Sequence, residues 1–190
     1  MKKLIFLHGY GGIPIPEVTE IFKVIGWETI QHHIDYDLEW DRDRCKSITE
    51  KVVGDGRDCD LIIGLSLGGY TAHLVSNHLG KDCILINPGI DREKSQVFLG
   101  NQFPVGDVEL NDTKDFDFPM YFNKCRLEVY LGRRDFQIPN NRTTDYLKKM
   151  GIIADVYYIE KMYHIFNIQE FIDIIKNSKF IDYVNKNEEK

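Results

Sequence analysis

The sequence predicts an α/β fold in which a mostly parallel sheet of about six strands carries helices on both faces. Short apolar runs alternate along the chain with stretches whose apolar residues recur at helical spacing, and most of these stretches end at a glycine. Right-handed crossovers leave few other layouts for such an alternation. The 190 residues are enough for one sizeable core, so we expect one domain over residues 1–185 and a frayed tail at 186–190.

Six short segments have the length and flanking residues of strands, and all of them except residues 28–34 are rich in Ile, Leu, Val, Phe and Tyr. The third of these runs leads directly into a glycine-rich turn, so its end is the most sharply defined. The predicted strands cover residues 3–7, 28–34, 60–63, 83–86, 126–131 and 154–159.

Helices are predicted after the first, second, third, fifth and sixth strands. The first begins behind Pro16, because proline is favoured in the first helical turn. The last begins at Asn167, where Glu170 stands three residues on as the partner in a capping box. Glycines mark the ends of the others, which fall at Gly26, near Gly54, at Gly80 and before Gly151.

The segment 88–124 breaks this alternation, because it contains no clear strand and yet carries several Phe and Tyr side chains. A loop this long in a compact domain is usually functional. We therefore expect it to cross over the sheet as a minimal lid or as a wall of the substrate site.

Composition and charge exclude several classes of function. The formal net charge is -6, and the Lys and Arg residues are scattered, so nucleic acid is not an expected partner. No apolar run reaches the length of a signal peptide or a membrane span. The four cysteines are widely spaced without a Cys-x-x-Cys pair, which predicts no disulfide framework or zinc site and favours the cytoplasm. We expect no cofactor, and the sequence leaves the oligomeric state open.

A candidate nucleophile lies in the turn after the third strand. Gly64-Leu65-Ser66-Leu67-Gly68 places a serine between glycines where a strand passes into a helix. Such a turn exposes the hydroxyl, and the glycines permit strained dihedral angles and close approach of neighbouring segments. The alternative, a glycine-rich turn that only packs a helix on a strand, is disfavoured by the apolar strand directly before it.

Two main-chain amides are candidates for an oxyanion hole. Leu67 follows the serine, which is the usual place for the first donor. The loop His8-Gly9-Tyr10-Gly11-Gly12 follows the first strand, and we expect the amide of Tyr10 to be the second donor. The alternative, a phosphate-binding loop, is disfavoured because neither Gly-x-Gly-x-x-Gly nor Gly-Lys-Ser/Thr is present.

A nucleophilic serine needs a neutral imidazole to take its proton and a carboxylate to orient that imidazole. His164 is the one histidine after the fifth strand, and Asp135 lies just past that strand. The chain order Ser66, Asp135, His164 is that of serine hydrolases with this strand and helix pattern. The alternative interpretation of Asp135 is a helix-capping or turn residue before Pro139. Asp155 or Glu160 would replace Asp135 if the strand boundaries were shifted.

The other histidines carry weaker signals. His32 and His33 stand near Asp35 and Asp37, but adjacent strand residues point to opposite faces, which argues against a shared metal ion. We therefore predict no metal site.

With these motifs in place, the chain resembles the YqiA/YcfP-type small esterases of the α/β-hydrolase superfamily. The resemblance runs through Phe6-Leu7-His8-Gly9, residues 64–70, Ile86-Asn87-Pro88-Gly89 and Leu99-Gly100-Asn101 to Asp135 and His164-Ile165-Phe166. The sequence differs from that family at two positions, Arg134 and Tyr163, where members commonly carry glycine. These differences affect the shape of the loops before Asp135 and His164.

The resemblance implies an α/β-hydrolase fold and cleavage of carboxylic esters of short acyl chains, with Ser66, Asp135 and His164 as the triad and a small-molecule ester or thioester as substrate. Two alternatives stay open: thioester hydrolysis, acyl transfer or peptide hydrolysis on the same triad, and a catalytically silent binding protein of the same fold.

Overall fold

The computed structural model describes residues 1–9, 12–34, 42–90, 125–165 and 167–182, with the side chains of 42–45 left aside. Most of the predicted segment 88–124, together with Tyr10 and the tail, lies outside these ranges. The described strands are β1 Lys2–Leu7, β2 Trp27–Gln31, β3 Leu61–Leu65, β4 Asp82–Ile86, β5 Leu127–Gly132 and β6 Asp155–Ile159. The described helices are α1 Pro16–Val24, α2 Arg42–Gly56, α3 Leu67–Leu79, α4 Asn140–Lys149 and α5 Ile168–Asn177.

These strands form one six-stranded sheet in the order β2-β1-β3-β4-β5-β6. Every pair of neighbours is parallel, so the predicted α/β fold is confirmed. All carboxyl ends of the strands therefore lie at the same edge of the sheet. In such sheets that edge is where ligands bind.

The second strand is shorter than predicted. Its ladder with β1 ends at the pair Phe6 and Gln31, whereas the sequence pattern extends to Ile34. The main-chain N–H of Ile34 donates instead to the Nε2 of His8, at 3.1 Å. The chain leaves the ladder because a side chain, rather than the neighbouring strand, takes this hydrogen bond.

Two apolar cores cover the two faces of the sheet, as alternation along β1 shows. Leu4 and Phe6 belong to the core that packs against α1 and α5, and Ile5 and Leu7 belong to the core on the other face with α2, α3 and α4. Both cores contain fully buried side chains from the central strands. Burial on both faces explains why the central strands β3 and β4 are nearly continuous apolar runs.

The helix boundaries follow local sequence signals. Helix α3 ends at Gly80, which adopts the left-handed conformation with φ of 63°. The predicted capping box of α5 is confirmed: the N–H of Glu170 donates to the Oδ1 of Asn167 at 2.9 Å, and the N–H of Asn167 donates to the Oε2 of Glu170 at 3.1 Å. No helix in the described ranges has both the length and the apolar character needed to cross a membrane.

Candidate active site

Ser66 is the single residue between β3 and α3, and its backbone is strained. Its φ of 52° and ψ of -121° lie in a region that non-glycine residues rarely adopt. The N–H of Ser66 donates to the carbonyl of Ile86 at 3.0 Å, and the carbonyl of Ser66 accepts from the N–H of Gly69 at 2.9 Å. Hydrogen bonds on both sides thus hold the serine in a sharp turn at the carboxyl edge of the sheet.

The glycines beside Ser66 permit this turn because side chains would not fit. A methyl carbon added at Gly68 would lie 2.3 Å from the carbonyl oxygens of Leu7 and His8. One added at Gly64 would lie 2.5 Å from the Cβ of Ala72. Helix α3 therefore packs closely on β1 and β3, as the glycine spacing predicts.

The structure brings Ser66, His164 and Asp135 into one hydrogen-bonded chain. The Oγ of Ser66 lies 2.8 Å from the Nε2 of His164, and the Nδ1 of His164 lies 2.8 Å from the Oδ2 of Asp135. The Asp135 side chain is fully buried, and that of His164 is 12% exposed. Three residues that are far apart in sequence thus meet behind the ends of β3, β5 and β6.

The hydrogen bonds of Asp135 determine which imidazole nitrogen carries the proton. Its Oδ1 accepts from the main-chain N–H groups of Gln137 and Ile138, at 2.8 and 2.9 Å. This leaves Oδ2 for His164. Because an ionised carboxylate only accepts hydrogen bonds, the Nδ1 of a neutral His164 donates and its Nε2 presents a lone pair to the Ser66 hydroxyl.

The alternative acids form ion pairs elsewhere. Asp155 pairs with Lys179 at 2.9 Å, and Glu160 pairs with Arg133 at 2.5 Å. Of the three carboxylates that the sequence left open, Asp135 is the one that contacts His164.

The loop after β1 lies beside the serine. A methyl carbon added at Gly9 would lie 2.9 Å from the Cβ of Ser66 and 3.4 Å from its Oγ. Leu67 is the first residue of α3, so its N–H has no acceptor within the helix. Tyr10, the predicted second amide donor, lies outside the described residues.

His8 supports this loop, a role that sequence reasoning missed. Its ring is buried, its Nδ1 lies 2.7 Å from the carbonyl of Gly9, and its Nε2 accepts from the N–H of Ile34. Burial lowers the pKa of His8, against the raising effect of the Gly9 carbonyl, and the lowered pKa favours the neutral ring that these two bonds require. A His-Gly pair directly after a strand was the available signal.

Arg134 and Tyr163, which stand where YqiA/YcfP-type esterases commonly carry glycine, contact each other. The Nη1 of Arg134 donates to the hydroxyl of Tyr163 at 3.2 Å, and the guanidinium lies 5.6 Å from the centre of that ring. Arg134 precedes Asp135 and Tyr163 precedes His164. The pair therefore joins the two loops that carry the acid and the imidazole.

The cysteines and the remaining histidines and acids give weaker evidence of a second reactive or metal-binding site. Burial raises the pKa of Cys59 to about 11 and also raises the pKa values of Cys83 and Cys125, so these free thiols stay protonated near neutral pH. Within the described ranges, no three His, Cys, Asp or Glu side chains come together as metal ligands. His32 lies near Asp55, with 3.8 Å between Nε2 and the carboxylate.

Comparison with solved structures identifies the fold. One match is MGS-MChE2, an α/β hydrolase enzyme from a sediment metagenome of the Mar Chica lagoon in Morocco, with 18% identity, TM-score 0.56 and coverage of 86% of this chain and 82% of that one. The esterase domain of a Rhodothermus marinus protein matches with 13% identity, TM-score 0.60 and coverage of 91% and 82%. FphF, a fluorophosphonate-binding serine hydrolase of Staphylococcus aureus, matches with 15% identity, TM-score 0.58 and coverage of 87% and 77%.

Comparison at the sequence level gave one family. Residues 3–177 match the profile of the uncharacterised protein family UPF0227. A search of curated proteins found no match.

Proposed function

The chain belongs to the UPF0227 family, which is the YcfP/YqiA family that its motifs indicate, and we propose that it is a serine hydrolase that cleaves carboxylic esters of short acyl chains. The observation that carries the proposal is the chain of two 2.8 Å contacts from Ser66 through His164 to Asp135. Similarity in fold to proteins described as an esterase domain and as a serine hydrolase supports it.

In the proposed first step, the Oγ of Ser66 attacks the ester carbonyl carbon and its proton passes to the Nε2 of His164. Asp135 stabilises the resulting imidazolium through its Oδ2. The negative charge that develops on the carbonyl oxygen is held by the amides of Leu67 and, as we propose, Tyr10. The bond to the leaving alcohol then breaks, and His164 returns the proton to that alcohol.

In the second step, water attacks the acyl-enzyme carbonyl and gives its proton to His164. Collapse of the tetrahedral intermediate breaks the bond to Ser66, releases the carboxylic acid and returns the proton to the serine oxygen. This cycle consumes one ester and one water and needs no cofactor. We place it in the cytoplasm, where the free thiols of this chain would stay reduced.

Ser66→Ala tests the proposal. We expect the variant to lose turnover of p-nitrophenyl acetate and butyrate and to lose labelling by a fluorophosphonate, with an unchanged melting temperature. Ser76→Ala is the matched control, because Ser76 is a buried serine on α3, the helix that follows Ser66, and its Oγ donates to the carbonyl of His73, away from the triad. This control should retain labelling. Labelling or turnover that persists in Ser66→Ala would show that another residue is the nucleophile.

The same assays separate the alternatives. A folded wild-type protein that never reacts with fluorophosphonate would favour a silent binding protein. Reaction with fluorophosphonate combined with faster turnover of acyl thioesters or peptide amides than of matched esters would move the proposal to those substrates. A panel of acyl chains from two to ten carbons then measures the preferred length.

A further inference from the structure

Asn87 occupies an unusual position directly after β4, between the strands that lead to Ser66 and to Asp135. It is 1% exposed, and its φ of 43° is positive, a conformation that asparagine tolerates better than most residues. Its main-chain N–H donates to the carbonyl of Tyr130 on β5, at 2.9 Å. Strained backbone conformations are concentrated at functional sites, so we ask what Asn87 does for the candidate active site.

The side chain of Asn87 bridges the two loops that carry the acid and the imidazole. Its Oδ1 accepts from the N–H of Gly132, at 2.7 Å, at the end of β5. Its Nδ2 donates to the carbonyls of Tyr163 and His164, at 2.8 and 3.3 Å. Because one end faces a donor and the other faces two acceptors, the orientation of the amide is fully determined.

The residues on either side of Asn87 hold the nucleophile. The carbonyl of Ile86 accepts from the N–H of Ser66, at 3.0 Å, and the N–H of Gly89 donates to the carbonyl of Ser66, at 2.9 Å. The segment Ile86–Gly89 is thus bonded to the serine turn through its main chain, and to the other two loops through one side chain.

We propose that Asn87 is a positioning residue that holds the His164 loop in register with Ser66 and Asp135. This inference rests on the proposed function, since it assigns a role within the same site. The side chain touches the main chain of His164 rather than any reacting atom, so its effect passes through the position of the imidazole. Loss of this bridge would let the loop shift relative to the serine, and a misplacement near 1 Å costs on the order of 10²-fold in rate.

Two variants test whether the side-chain hydrogen bonds of Asn87, rather than its backbone conformation, position His164. Asn87→Asp keeps nearly the same shape and the acceptor for Gly132, but it turns a carboxylate oxygen toward the two carbonyls of the His164 loop. Asn87→Gly removes the side chain and accepts the positive φ without strain. In both variants we expect kcat for p-nitrophenyl butyrate to fall about 10²-fold, with KM changed by less than about threefold, because Asn87 is buried and its side chain bonds to main-chain groups of the protein.

Asn77→Asp is the matched control. Asn77 is also a buried asparagine, 3% exposed, but its Nδ2 lies near the ring of His73 on the same helix and it has no contact with the triad in the described residues. It should lower stability and leave kcat within about threefold of wild type. An equal loss of kcat in this control would show that general destabilisation explains the Asn87 result, and would overturn the inference.

A readout without substrate keeps the test independent of the proposed function. The Nδ1 proton of His164, held by Asp135, should give a low-field ¹H resonance in the wild type that is lost or shifted in both Asn87 variants and kept in Asn77→Asp. If the wild type cleaves no ester, the proposed function fails while this resonance still tests the bridge. If either Asn87 variant folds with kcat within threefold of wild type and an unchanged resonance, Asn87 does not position His164.

Discussion

Asp135→Asn is the sharpest perturbation of the candidate site, because the surroundings of Asp135 determine how the new amide would sit. The Oδ1 of Asp135 accepts from the N–H groups of Gln137 and Ile138, at 2.8 and 2.9 Å. An amide nitrogen in that place would face two donors and leave them unpaired, at about 1–3 kcal/mol each. The oxygen of the new amide would therefore stay there, and its NH₂ group would face the Nδ1 of His164.

This orientation reverses the tautomer of His164. A donor opposite Nδ1 requires Nδ1 to accept, so the imidazole proton moves to Nε2 and points at the Oγ of Ser66. The ring then has no lone pair for the serine proton. From the effect of a wrong tautomer in serine hydrolases, we expect kcat to fall on the order of 10⁴-fold, or roughly 5 kcal/mol in the barrier. The number of hydrogen bonds is unchanged, so the melting temperature should stay close to that of the wild type.

The assay compares kcat for p-nitrophenyl butyrate in Asp135→Asn and in Glu160→Gln. Glu160 is an exposed acid near His164 in sequence whose carboxylate pairs with Arg133, and its loss should leave kcat within about twofold of wild type. If Asp135→Asn keeps more than about a tenth of the wild-type kcat, the assignment of the orienting acid is wrong. A large loss in Glu160→Gln would assign that role to Glu160 instead.

Three further predictions concern packing, pH and capping. Gly68→Ala should lower kcat on the order of 10²-fold, because the new methyl carbon would lie 2.3 Å from the carbonyl oxygen of Leu7. Gly54→Ala is the control: its methyl carbon would have nothing within 4 Å, so the free energy of unfolding in urea should rise by about 0.5–1 kcal/mol. An unchanged kcat in Gly68→Ala, or a loss of stability in Gly54→Ala, would contradict the packing argument. Burial lowers the pKa of His73 from 6.5 to about 4, so the unfolded chain binds a proton there that the folded chain does not. Stability should therefore fall from pH 6.5 toward pH 4 by up to about 1.4 kcal/mol per pH unit, and urea titrations of His73→Leu should show a shallower fall than wild type. Asn167→Ala should lower the free energy of unfolding by about 1 kcal/mol, and an unchanged urea midpoint would show that the capping box contributes nothing.

Local signals predicted much of the fold. The capping box of Asn167 and Glu170 spans one helical turn, and the turn around Ser66 depends on glycines within two residues of it. Such features are readable because their partners are close in sequence. The second strand was predicted too long for the opposite reason, since the N–H of Ile34 bonds to His8, 26 residues away.

The role of Asn87 illustrates the same limit within the site. Its side-chain partners stand 45, 76 and 77 residues further along the chain. The residues around Asn87 carry only an Asn-Pro pair after a strand, which is equally typical of a simple turn. No local pattern distinguishes an asparagine that turns the chain from one that bridges two distant loops.

By itself the sequence determined the parallel sheet, the order of its strands and helices along the chain and the serine in the tight turn, because hydrophobic periodicity and glycine placement act over a few residues. The tertiary structure decided which carboxylate meets His164. Asp135, Asp155 and Glu160 all stand on or beside the last two strands, and their local sequences do not say where each side chain points. Packing of the loops after β5 and β6 determines that contact. Asp135, which accepts two main-chain hydrogen bonds, faces the imidazole. The other two carboxylates form ion pairs with basic side chains, Glu160 with Arg133 and Asp155 with Lys179.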